Sequence, residues 1–327
     1  DYGIFHNDAT HRRIKKYFDH YFYINQISDS DVINIITHHK IDIAIHRNGY
    51  SQNSRNSLFS KKIAPLQISF LGYPGTMGVE FIDYIIADRT VIPEENRKFF
   101  SEKIIFMPNT YYPTYNERLK SKINFNKIDL GINNEAFVFG SFNNSYKISS
   151  AEFTIWMRLL AEVKNSYLVL LVNNELTKKN LIKEIISHNQ DPNRVKFLNY
   201  VPIDEHLARH NLIDLYLDTF NYNGHTSSVD ALYSGVPVLT KIGKSFTSRV
   251  CASILRAIKM PDLIVLSEKE YYELGFEIAT NKEWFNKLKL ELKSKINKTP
   301  LFNSKKYVRS LEKGYELAYK KKLFKIK

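Results

Sequence analysis

Cysteine is almost absent from this sequence of 327 residues. The single Cys251 excludes a disulfide scaffold and a zinc site with four thiolate ligands. One cysteine is compatible with a reducing compartment, so we expect a cytoplasmic protein. No signal peptide opens the chain, and no apolar run reaches the ~18 residues that a membrane span needs. We therefore expect no membrane association.

Two common nucleotide-binding motifs are also missing. No GxGxxG follows a predicted strand, which argues against a dinucleotide-binding domain of the usual kind, and no GxxxxGK[ST] occurs. The triplet Asp29-Ser30-Asp31 has the D-x-D form found in metal-dependent sugar transfer, but it fits better as the N-cap and first turn of a helix. We therefore expect no metal and no cofactor.

Acidic residues are outnumbered, and the formal net charge is +13. A basic balance suits anionic partners, but Lys, Asn and Ile are used heavily throughout the chain. The basic residues are most crowded in the last third, as in "KLKLELKSKINK". No DNA- or RNA-binding motif accompanies them. We interpret the charge as exposed surface on C-terminal helices and do not expect a nucleic-acid partner.

Short apolar runs alternate with helical patterns along most of the chain. The helix predicted over "SSAEFTIWMRLLAEVK" places Phe153, Trp156, Leu160 and Val163 on one face. Apolar strands separated by helices predict parallel βαβ units with both sheet faces covered, and so an α/β fold. The predicted strands are 42–46, 66–72, 84–88, 103–108, 136–142, 167–173, 194–199, 214–218 and 236–240.

The alternation weakens in a polar, tyrosine-rich stretch that indicates a linker. We predict an acceptor-side lobe over 1–115, a linker over 116–135, a Rossmann-like lobe over 136–300 and a C-terminal helix over 301–327. Asn303 or Ser304 is the predicted N-cap of that helix. The first lobe has few strands, and the chain begins with Asp1. We therefore expect a fragment that lacks an N-terminal part.

Four polar clusters follow predicted strands of the second lobe, at 142–149, 199–210, 221–228 and 241–249. Ligands of open α/β sheets bind beyond the carboxyl ends of the strands. In the third cluster, Thr226 or Ser227 can cap the next helix, and Ser227 with Asp230 fits a capping box. Gly224 permits a tight turn or a positive φ, and Gly235 marks the end of the helix. Capping alone explains these residues, but the same helix start can also bind an anion.

The other clusters add weaker signals of the same kind. Lys147 lies where a helix is predicted to start, a position at which the helix dipole disfavours a cation unless an anion lies nearby. His206 and Arg209 share a helix face, as either an exposed surface or one wall of a site. The imidazole side chain of His225 is not needed to cap a helix. Together these residues predict a site for a nucleotide diphosphate.

At these residues the sequence resembles the catalytic region of the protein O-GlcNAc transferase family, including bacterial and Spindly-type members. The resemblance lies in the runs "RNGYSQNSRNSLFSKKIAPLQISFLGYPGTMGVEFIDYIIAD", "FGSFNNSYKIS", "VPIDEHLARHNLIDLYLDTFNYNGHTSSVDALYSGVPVLT", "SFTSRVCASIL" and "PLFNSKKY". These runs occur in family order and cover nearly the whole chain.

The resemblance implies a GT-B fold, in which two Rossmann-like lobes face each other across a crevice, here with a truncated N-terminal lobe. It also implies metal-independent, inverting transfer of GlcNAc or a related sugar from a UDP donor to Ser/Thr hydroxyls of proteins. Family members usually carry helical repeats that recruit acceptor proteins, so the full-length protein is expected to have an N-terminal repeat region that this chain lacks.

The family pattern also assigns roles to residues. Lys147, the implied catalytic residue, would contact the donor diphosphate, and Asp230 would contact the ribose. Asn144 and Tyr146 would line the same site. The base would be held by Val201, His206 and Arg209, and the phosphate and sugar by His225, Thr226 and Ser227. The implied neighbours of the sugar and acceptor are Asn48, Ser51, Gly72, Pro74 and Thr76.

The sequence departs from the family pattern at three places. Ile203 replaces a frequent lysine, which puts one ribose contact in doubt, and His46 stands where relatives tend to have Asp or Asn. The histidine proposed as the base in relatives lies upstream of this chain, which leaves His46 as a candidate catalytic residue. Two alternatives therefore stay open: a non-catalytic nucleotide-sugar-binding or protein-interaction module, and a Spindly-type transferase that uses another donor such as GDP-fucose.

Overall fold

The computed structural model describes residues 9–115 and 123–324. Two compact units share the chain in an interleaved way. The first unit comprises 1–86, 95–106 and 312–327, and the second comprises 87–94 and 107–311. This division differs from contiguous lobes, because residues 107–115 group with the second unit and the last helix is divided between the two. Residues 116–122 of the predicted linker lie outside the described residues.

The first unit contains a four-stranded sheet in the order β1-β2-β3-β4. Strands β1 and β2 are parallel, as are β2 and β3. β2 and β3 are buried along their whole length, as expected for apolar strands covered on both faces. The strands are β1 (Ile43–His46), β2 (Leu66–Ser69), β3 (Tyr84–Ala87) and β4 (Lys103–Phe106), and the helices are α1 (Ala9–Lys15), α2 (Asp29–His38) and α3 (Asn56–Ser60).

Helix α2 corrects one detail of the sequence prediction. Its N-cap is Ser28, whose hydroxyl accepts from Asp31 N, so Asp29 is the first helical residue and not the cap. The Asp29 carboxylate pairs with the Arg55 guanidinium and accepts from Ser57 Oγ. The D-x-D triplet is thus used within the fold, in a helix start and a local ion pair.

The second unit contains a six-stranded sheet in the order β10-β9-β8-β5-β6-β7, in which all the recorded pairs are parallel. β5 lies centrally, with β6 and β7 on one side and β8, β9 and β10 on the other, which is the order of a doubly wound Rossmann sheet. The strands are β5 (Phe137–Ser141), β6 (Ser166–Leu171), β7 (Val195–Leu198), β8 (Leu215–Leu217), β9 (Val238–Lys241) and β10 (Ile264–Val265).

Helices connect and cover this sheet. Helix α4 starts with a capping box formed by Ser149 and Glu152, and its apolar face buries Phe153, Trp156 and Leu160. The helices are α4 (Ser150–Glu162), α5 (Glu175–Ser187), α6 (Ile203–Ala208), α7 (Thr226–Tyr233), α8 (Val250–Ala257), α9 (Glu268–Thr280), α10 (Lys282–Lys295) and α11 (Ser304–Leu323). As predicted, Asn303 caps α11, because its Oδ1 accepts from Lys306 N at 2.9 Å.

Candidate functional site

The predicted site residues of the second unit lie beyond the carboxyl ends of its strands. β5 and β8 are neighbours, but the chain leaves β5 toward β6 and leaves β8 toward β9, on the opposite side. Ligands of such sheets bind at this switch point, beyond the carboxyl ends of the strands. The loop 142–149 follows β5 and the loop 218–225 follows β8. Of the four predicted polar clusters, two follow β5 and β8 at the switch point, and a third follows β7, two strands away from β5.

A buried polar network joins the two loops at the switch point. Asn143 Nδ2 donates to Asp218 Oδ1 at 3.1 Å and to Thr219 Oγ1 at 2.9 Å. Asp218 also accepts from Gly224 N at 2.6 Å and from Thr240 Oγ1 at 2.7 Å. Burial raises the pKa of Asp218 to about 6, and the hydrogen bonds oppose the rise. The network fixes the backbone on both sides of the switch point.

Lys147 reaches this place from the β5 loop. It ends a short 3-10 turn, Ser145–Lys147, three residues before α4 begins. Its Nζ donates to Asn223 O at 3.1 Å and lies 4.0 Å from the centre of the Tyr222 ring. Burial lowers the pKa of Lys147 to about 8, and the charge of Asp218 opposes that shift. A partly desolvated ammonium group of this kind interacts strongly with an incoming anion.

His225 occupies the N-cap position of α7. Its ring stacks on Tyr222, with centroids 5.0 Å apart and an interplanar angle of 26°, and meets the edge of Tyr112 at 6.0 Å. Burial, and then the charge of Lys147, lower its pKa to about 3, so the ring is neutral near pH 7. His225 Nε2 is buried and has no hydrogen-bond partner among the described residues. Such a group marks a place where a ligand can supply the partner.

The predicted capping box of α7 is wrong. α7 starts at Thr226, and the His225 side chain makes no cap hydrogen bond. Ser227 Oγ donates instead to Asn143 Oδ1, across the switch point. Thr226 Oγ1 lies 2.6 Å from the hydroxyl of Tyr112. The first turn of an eight-residue helix is therefore left without a side-chain cap, which is the condition for anion binding at a helix start.

Gly224 is needed for close approach and not for a positive φ. A Cβ at this position would overlap Ser228 Oγ and would lie 2.8 Å from Ser227 Oγ and 2.9 Å from Asn143 Oδ1. Gly235 does have a positive φ, of 84°, at the end of α7, as predicted. Only the bare backbone of Gly224 lets α7 pack so closely on the β5 loop.

A second cluster joins α6 to α7. Arg209 Nη2 donates to His206 Nδ1 at 2.5 Å, and Arg209 Nη1 donates to Asn199 O at 2.6 Å. His206 Nε2 lies 3.7 Å from Asp230 Oδ2 on α7. Arg209 is 2% exposed and its Cζ lies 4.9 Å from the Phe142 ring centre. Burial lowers the pKa of Arg209 to about 10. The alternative of an exposed helix face is therefore wrong for Arg209.

Helix α7 thus connects the predicted donor-site residues. Its Ser227 donates to Asn143, its Asp230 faces His206, and the loop that leads into it accepts from Lys147 at Asn223 O. The remaining predicted residues are more exposed. Asn144 accepts from the hydroxyl of Tyr200, the Tyr146 side chain is 79% exposed, and Val201 is half-buried between β7 and α6. These three lie beside the cluster without being fixed by it.

The fourth polar cluster serves the fold of the second unit. Lys241 Nζ pairs with Glu268 at 3.1 Å and lies 4.1 Å from the ring centre of Phe220. Arg249 donates to Gly243 O at 2.8 Å and to Thr90 O at 2.6 Å. These contacts hold the loop after β9.

In the first unit, the predicted acceptor-side residues lie on the loops after β1 and β2. The loop after β1 carries Asn48, whose carbonyl accepts from Ser51 N at 2.9 Å and Ser51 Oγ at 2.7 Å. Tyr50 OH donates to Met77 O at 2.7 Å, which ties this loop to the loop after β2. The latter loop carries the predicted Gly72, Pro74 and Thr76. The structure therefore brings the five predicted acceptor-side residues to one pair of loops.

Two of these residues are held by tight contacts. A Cβ at Gly72 would overlap Arg47 O, so the close approach of the two loops requires glycine there. Thr76 Oγ1 donates to Glu102 Oε2 at 2.6 Å, and the buried Glu102 also accepts from Met77 N at 2.5 Å.

His46 lies in the core of the first unit. It is 2% exposed, its ring stacks on Phe59 at 4.1 Å, and Nε2 lies 2.5 Å from Asn56 Oδ1. Burial lowers its pKa, while the Asn56 hydrogen bond opposes the shift. These contacts favour a packing role over the catalytic one.

Residues 9–115 and 123–324 contain no group of three or more His, Cys, Asp or Glu side chains placed to hold a metal ion. No helix in these ranges has the length and apolar character to cross a membrane.

Sequence reasoning missed several residues of the site. The sequence marks Asp218 only as the end of the predicted strand 214–218, and Asn143 only as part of the polar cluster 142–149. Tyr222 and Tyr112 belong to no motif that predicts a ligand site. The signal that these residues share is a polar or aromatic side chain at the end of a predicted strand or shortly after it. Which of those side chains face each other depends on strand order, which the sequence does not display.

The two parallel sheets, one of them in Rossmann strand order, define the chain as an α/β protein of the Rossmann-like class. Residues 2–128 and 114–311 match the family Glycosyl transferase family 41. The chain belongs to this family, as the resemblance predicted.

Similar curated proteins come from plants. The chain is 31% identical over 322 residues to the probable UDP-N-acetylglucosamine–peptide N-acetylglucosaminyltransferase SEC of Arabidopsis thaliana, with 96% of this chain and 33% of the relative covered. It is 27% identical over 302 residues to the probable UDP-N-acetylglucosamine–peptide N-acetylglucosaminyltransferase SPINDLY of Solanum lycopersicum, with 90% of this chain and 32% of the relative covered. The chain thus spans about a third of the length of these relatives.

Solved structures show the same fold. The Thermobaculum terrenum O-GlcNAc transferase, as a K341M mutant, matches 97% of this chain and 60% of its own with a TM-score of 0.87 at 22% identity. The pneumococcal O-GlcNAc transferase GtfA, in complex with UDP and GlcNAc, matches 89% and 60% with a TM-score of 0.58 at 10% identity. The expected GT-B type of architecture, with two Rossmann-like parallel units, is confirmed.

Proposed function

We propose that this chain is the catalytic region of a glycosyltransferase that moves GlcNAc from UDP-GlcNAc to Ser or Thr hydroxyls of proteins. The observation that carries the proposal is the hydrogen bond of Lys147 to Asn223 O, in the loop that leads into the uncapped start of α7. An ammonium group and free helix N–H groups form an anion site. The family, and the activity for which the plant relatives are named, support a UDP-sugar as the anion.

The donor would span the two clusters that α7 connects. The diphosphate lies at Lys147 and at the N–H groups of Thr226 and Ser227, and the buried His225 Nε2 donates to a phosphate or sugar oxygen. The nucleoside lies toward α6, where His206 and Arg209 hold the base with the backbone of Val201, and Asp230 accepts from the ribose. Asn144 and Tyr146 close the exposed side. These assignments follow the family pattern and the positions of the side chains.

The chemistry follows from charge. The acceptor oxygen forms a bond to the sugar C1 while the bond from C1 to the β-phosphate oxygen breaks, and the hydroxyl proton passes to a base. Negative charge grows on the leaving diphosphate, so Lys147 and the α7 dipole stabilise the transition state more than the ground state. Attack opposite the leaving group inverts the anomeric centre. The family pattern assigns the acceptor side to Asn48, Ser51, Gly72, Pro74 and Thr76 of the first unit.

A substitution at Lys147 tests the proposal. Lys147→Ala should weaken binding of UDP-GlcNAc by about 10–100-fold, because it removes a charged hydrogen bond worth ~1.5–3 kcal/mol. It should also slow transfer by about 10²–10³-fold in the full-length protein. Calorimetry and a peptide-transfer assay measure the two effects. Lys164→Ala, at an exposed lysine of the same unit, is the matched control. Wild-type binding and turnover by Lys147→Ala would refute the assignment.

Two further parts of the proposal have direct tests. Metal independence predicts equal transfer in EDTA and in Mn²⁺ or Mg²⁺, since Lys147 and α7 supply the positive potential. Inversion predicts a β-linked product from the α-linked donor, read from the anomeric coupling by NMR. A metal requirement or an α-linked product would overturn the corresponding part. We also propose a cytoplasmic location, which the single buried Cys251 supports.

One observation favours a non-catalytic binding module as a second candidate. His46 is buried and paired with Asn56, so the one candidate base that the sequence suggested is occupied. Such a module would bind UDP-GlcNAc without transferring or hydrolysing the sugar. Thermal shift with UDP-GlcNAc against GDP-fucose identifies the nucleotide, because a ligand at ~100 times its Kd stabilises by about 2.7 kcal/mol. Transfer by the full-length protein would exclude the module.

A further inference from the structure

A single peptide group lies between the two charged side chains of the site, Lys147 and Asp218. The carbonyl of Asn223 accepts from Lys147 Nζ at 3.1 Å. The N–H of the same peptide group, which belongs to Gly224, donates to Asp218 Oδ1 at 2.6 Å. The carbonyl and N–H of a trans peptide point in opposite directions. The ammonium and the carboxylate therefore lie at opposite ends of one peptide group, each at the end that its charge favours.

The carboxylate end of this arrangement is rigid. Asp218 is completely buried, and both its oxygens are engaged, Oδ1 by Gly224 and Asn143 and Oδ2 by Thr240. These donors come from the loops after β5 and β8 and from strand β9. An ionised carboxylate that accepts several fixed hydrogen bonds keeps its orientation and polarises the peptide beside it. The lysine end is half-buried and faces the proposed diphosphate site.

We propose that Asp218 is a positioning residue of the donor site, which through the peptide group of Asn223 and Gly224 holds the Lys147 ammonium charged and directs it toward the diphosphate. The inference rests on the proposed function for its diphosphate, but the coupling of Asp218 to Lys147 is a property of the ligand-free protein. The same peptide group leads directly into His225 and α7, so Asp218 also fixes the orientation of the helix start.

Several titratable groups face this pair. Tyr222 lies under the Lys147 ammonium, and His225 stacks on Tyr222. Tyr216, Cys251 and Tyr271 lie near Asp218, and Tyr271 OH donates to Asp218 O at 3.0 Å. Burial raises the pKa of all three of these groups, so they stay neutral near pH 8. The charge of Asp218 opposes the burial that lowers the pKa of Lys147.

Asp218→Asn removes the charge with little change of shape. The Asn oxygen still accepts from Gly224 N and Asn143 Nδ2, and its amide group can donate to the Thr240 hydroxyl. Lys147 should then lose its proton at a lower pH, by on the order of 0.5–1 pH unit. NMR titration of ¹³C-labelled lysine in the ligand-free chain, with the Lys147 signal assigned from Lys147→Arg, measures this midpoint.

Asp88→Asn is the matched control. Asp88 is also buried in the second unit and accepts from Thr90 N, Tyr111 N and Ser253 Oγ, but it has no contact with Lys147 or its peptide group. It should lose thermal stability to a similar extent while the Lys147 midpoint stays in place. An unmoved midpoint in a folded Asp218→Asn protein, or an equal shift in Asp88→Asn, would overturn the inference.

Donor binding separates this inference from the proposed function. Calorimetry with UDP-GlcNAc from pH 6 to 9.5 should show the fall in affinity at a lower pH in Asp218→Asn than in the wild type. Failure of the wild type to bind UDP-GlcNAc would refute the proposed function while leaving the NMR result to decide the coupling. Wild-type binding with an identical pH profile in Asp218→Asn would refute the coupling alone.

Discussion

At the residue scale, His225 shows the difference between a side chain that serves the fold and one that serves a ligand. Its ring packs against Tyr222 and Tyr112, which any aromatic residue could do. Its Nε2 is buried without a partner among the described residues, and such a group costs roughly 1–3 kcal/mol. The fold alone gives no compensation for that cost, so the ligand-free protein is less stable than it would be with an apolar ring.

His225→Phe should therefore separate stability from binding. We expect the unfolding temperature to stay the same or rise, because Phe keeps the stacking and removes the unpaired nitrogen. Affinity for UDP-GlcNAc should fall about 10-fold or more, because one hydrogen bond to the donor is lost. Differential scanning fluorimetry and calorimetry measure the two quantities. A destabilised variant that keeps full affinity would show that His225 is only structural.

The pH dependence of donor binding is also set by single residues. His225 has a pKa lowered to about 3, so it stays neutral across the range from pH 5 to 7. Lys147 has a pKa lowered to about 8, and an anionic donor binds the protonated form more tightly. Affinity for UDP-GlcNAc should thus be level from about pH 6 to 7.5 and fall above about pH 8.

Calorimetry at constant ionic strength measures this profile, with proton uptake on binding near pH 8.5 as a second readout. Lys147→Arg, which keeps its charge at all these pH values, is the control and should give a level profile to pH 9. Burial raises the pKa of Asp218 to about 6, so a fall in affinity as the pH rises from 5 to 7 would contradict the neutral state assigned to His225 only if it persists in Asp218→Asn.

At the scale of elements, α7 carries more of the site than its sequence indicated. The pattern Ser227-x-x-Asp230 predicted a local capping box, but both side chains leave the helix, toward Asn143 and toward His206. Local patterns predict a cap when nothing else competes for the side chain. Here the neighbouring loop and α6 compete, and tertiary contacts of this kind are not visible in the sequence.

Gly224→Ala tests how closely α7 must pack. The added methyl would overlap Ser228 Oγ and crowd Ser227 Oγ and Asn143 Oδ1, so the helix start must move. We expect a loss of about 1–3 kcal/mol in the free energy of unfolding and a marked loss of donor affinity. Urea unfolding and calorimetry measure both.

Gly235→Ala, at the other end of α7, is the matched control. Its φ of 84° strains an alanine, but a Cβ there meets open space. It should cost about 1 kcal/mol of stability and leave donor affinity unchanged. Equal losses of affinity in both variants would mean that α7 stability, and not the packing at Gly224, controls binding.

At the scale of the whole molecule, the sequence predicted nearly all the strands of both sheets. All nine predicted strands are present, because parallel strands buried on both faces form short apolar runs that stand out, as in 167–173. β10 was missed because it has only two residues, Ile264–Val265. The two units interleave because segments such as 87–94 join the second unit through contacts remote in sequence, for example Ser253 Oγ to Asp88, and such contacts cannot be read from the sequence.

The division into two units predicts which peptides should respond to UDP in the absence of an acceptor. The candidate donor residues all belong to the second unit, whereas the loops with Asn48 and Thr76 belong to the first. In hydrogen–deuterium exchange, UDP should protect peptides over 142–149, 199–210 and 218–230, because ordering the first turn of α7 and its neighbours slows their local opening. Peptides over 66–87 should be unaffected and serve as the internal reference. Lys147→Ala should abolish the protection at a UDP concentration that saturates the wild type. Protection confined to the first unit would place the nucleotide elsewhere and would refute the donor site as a whole.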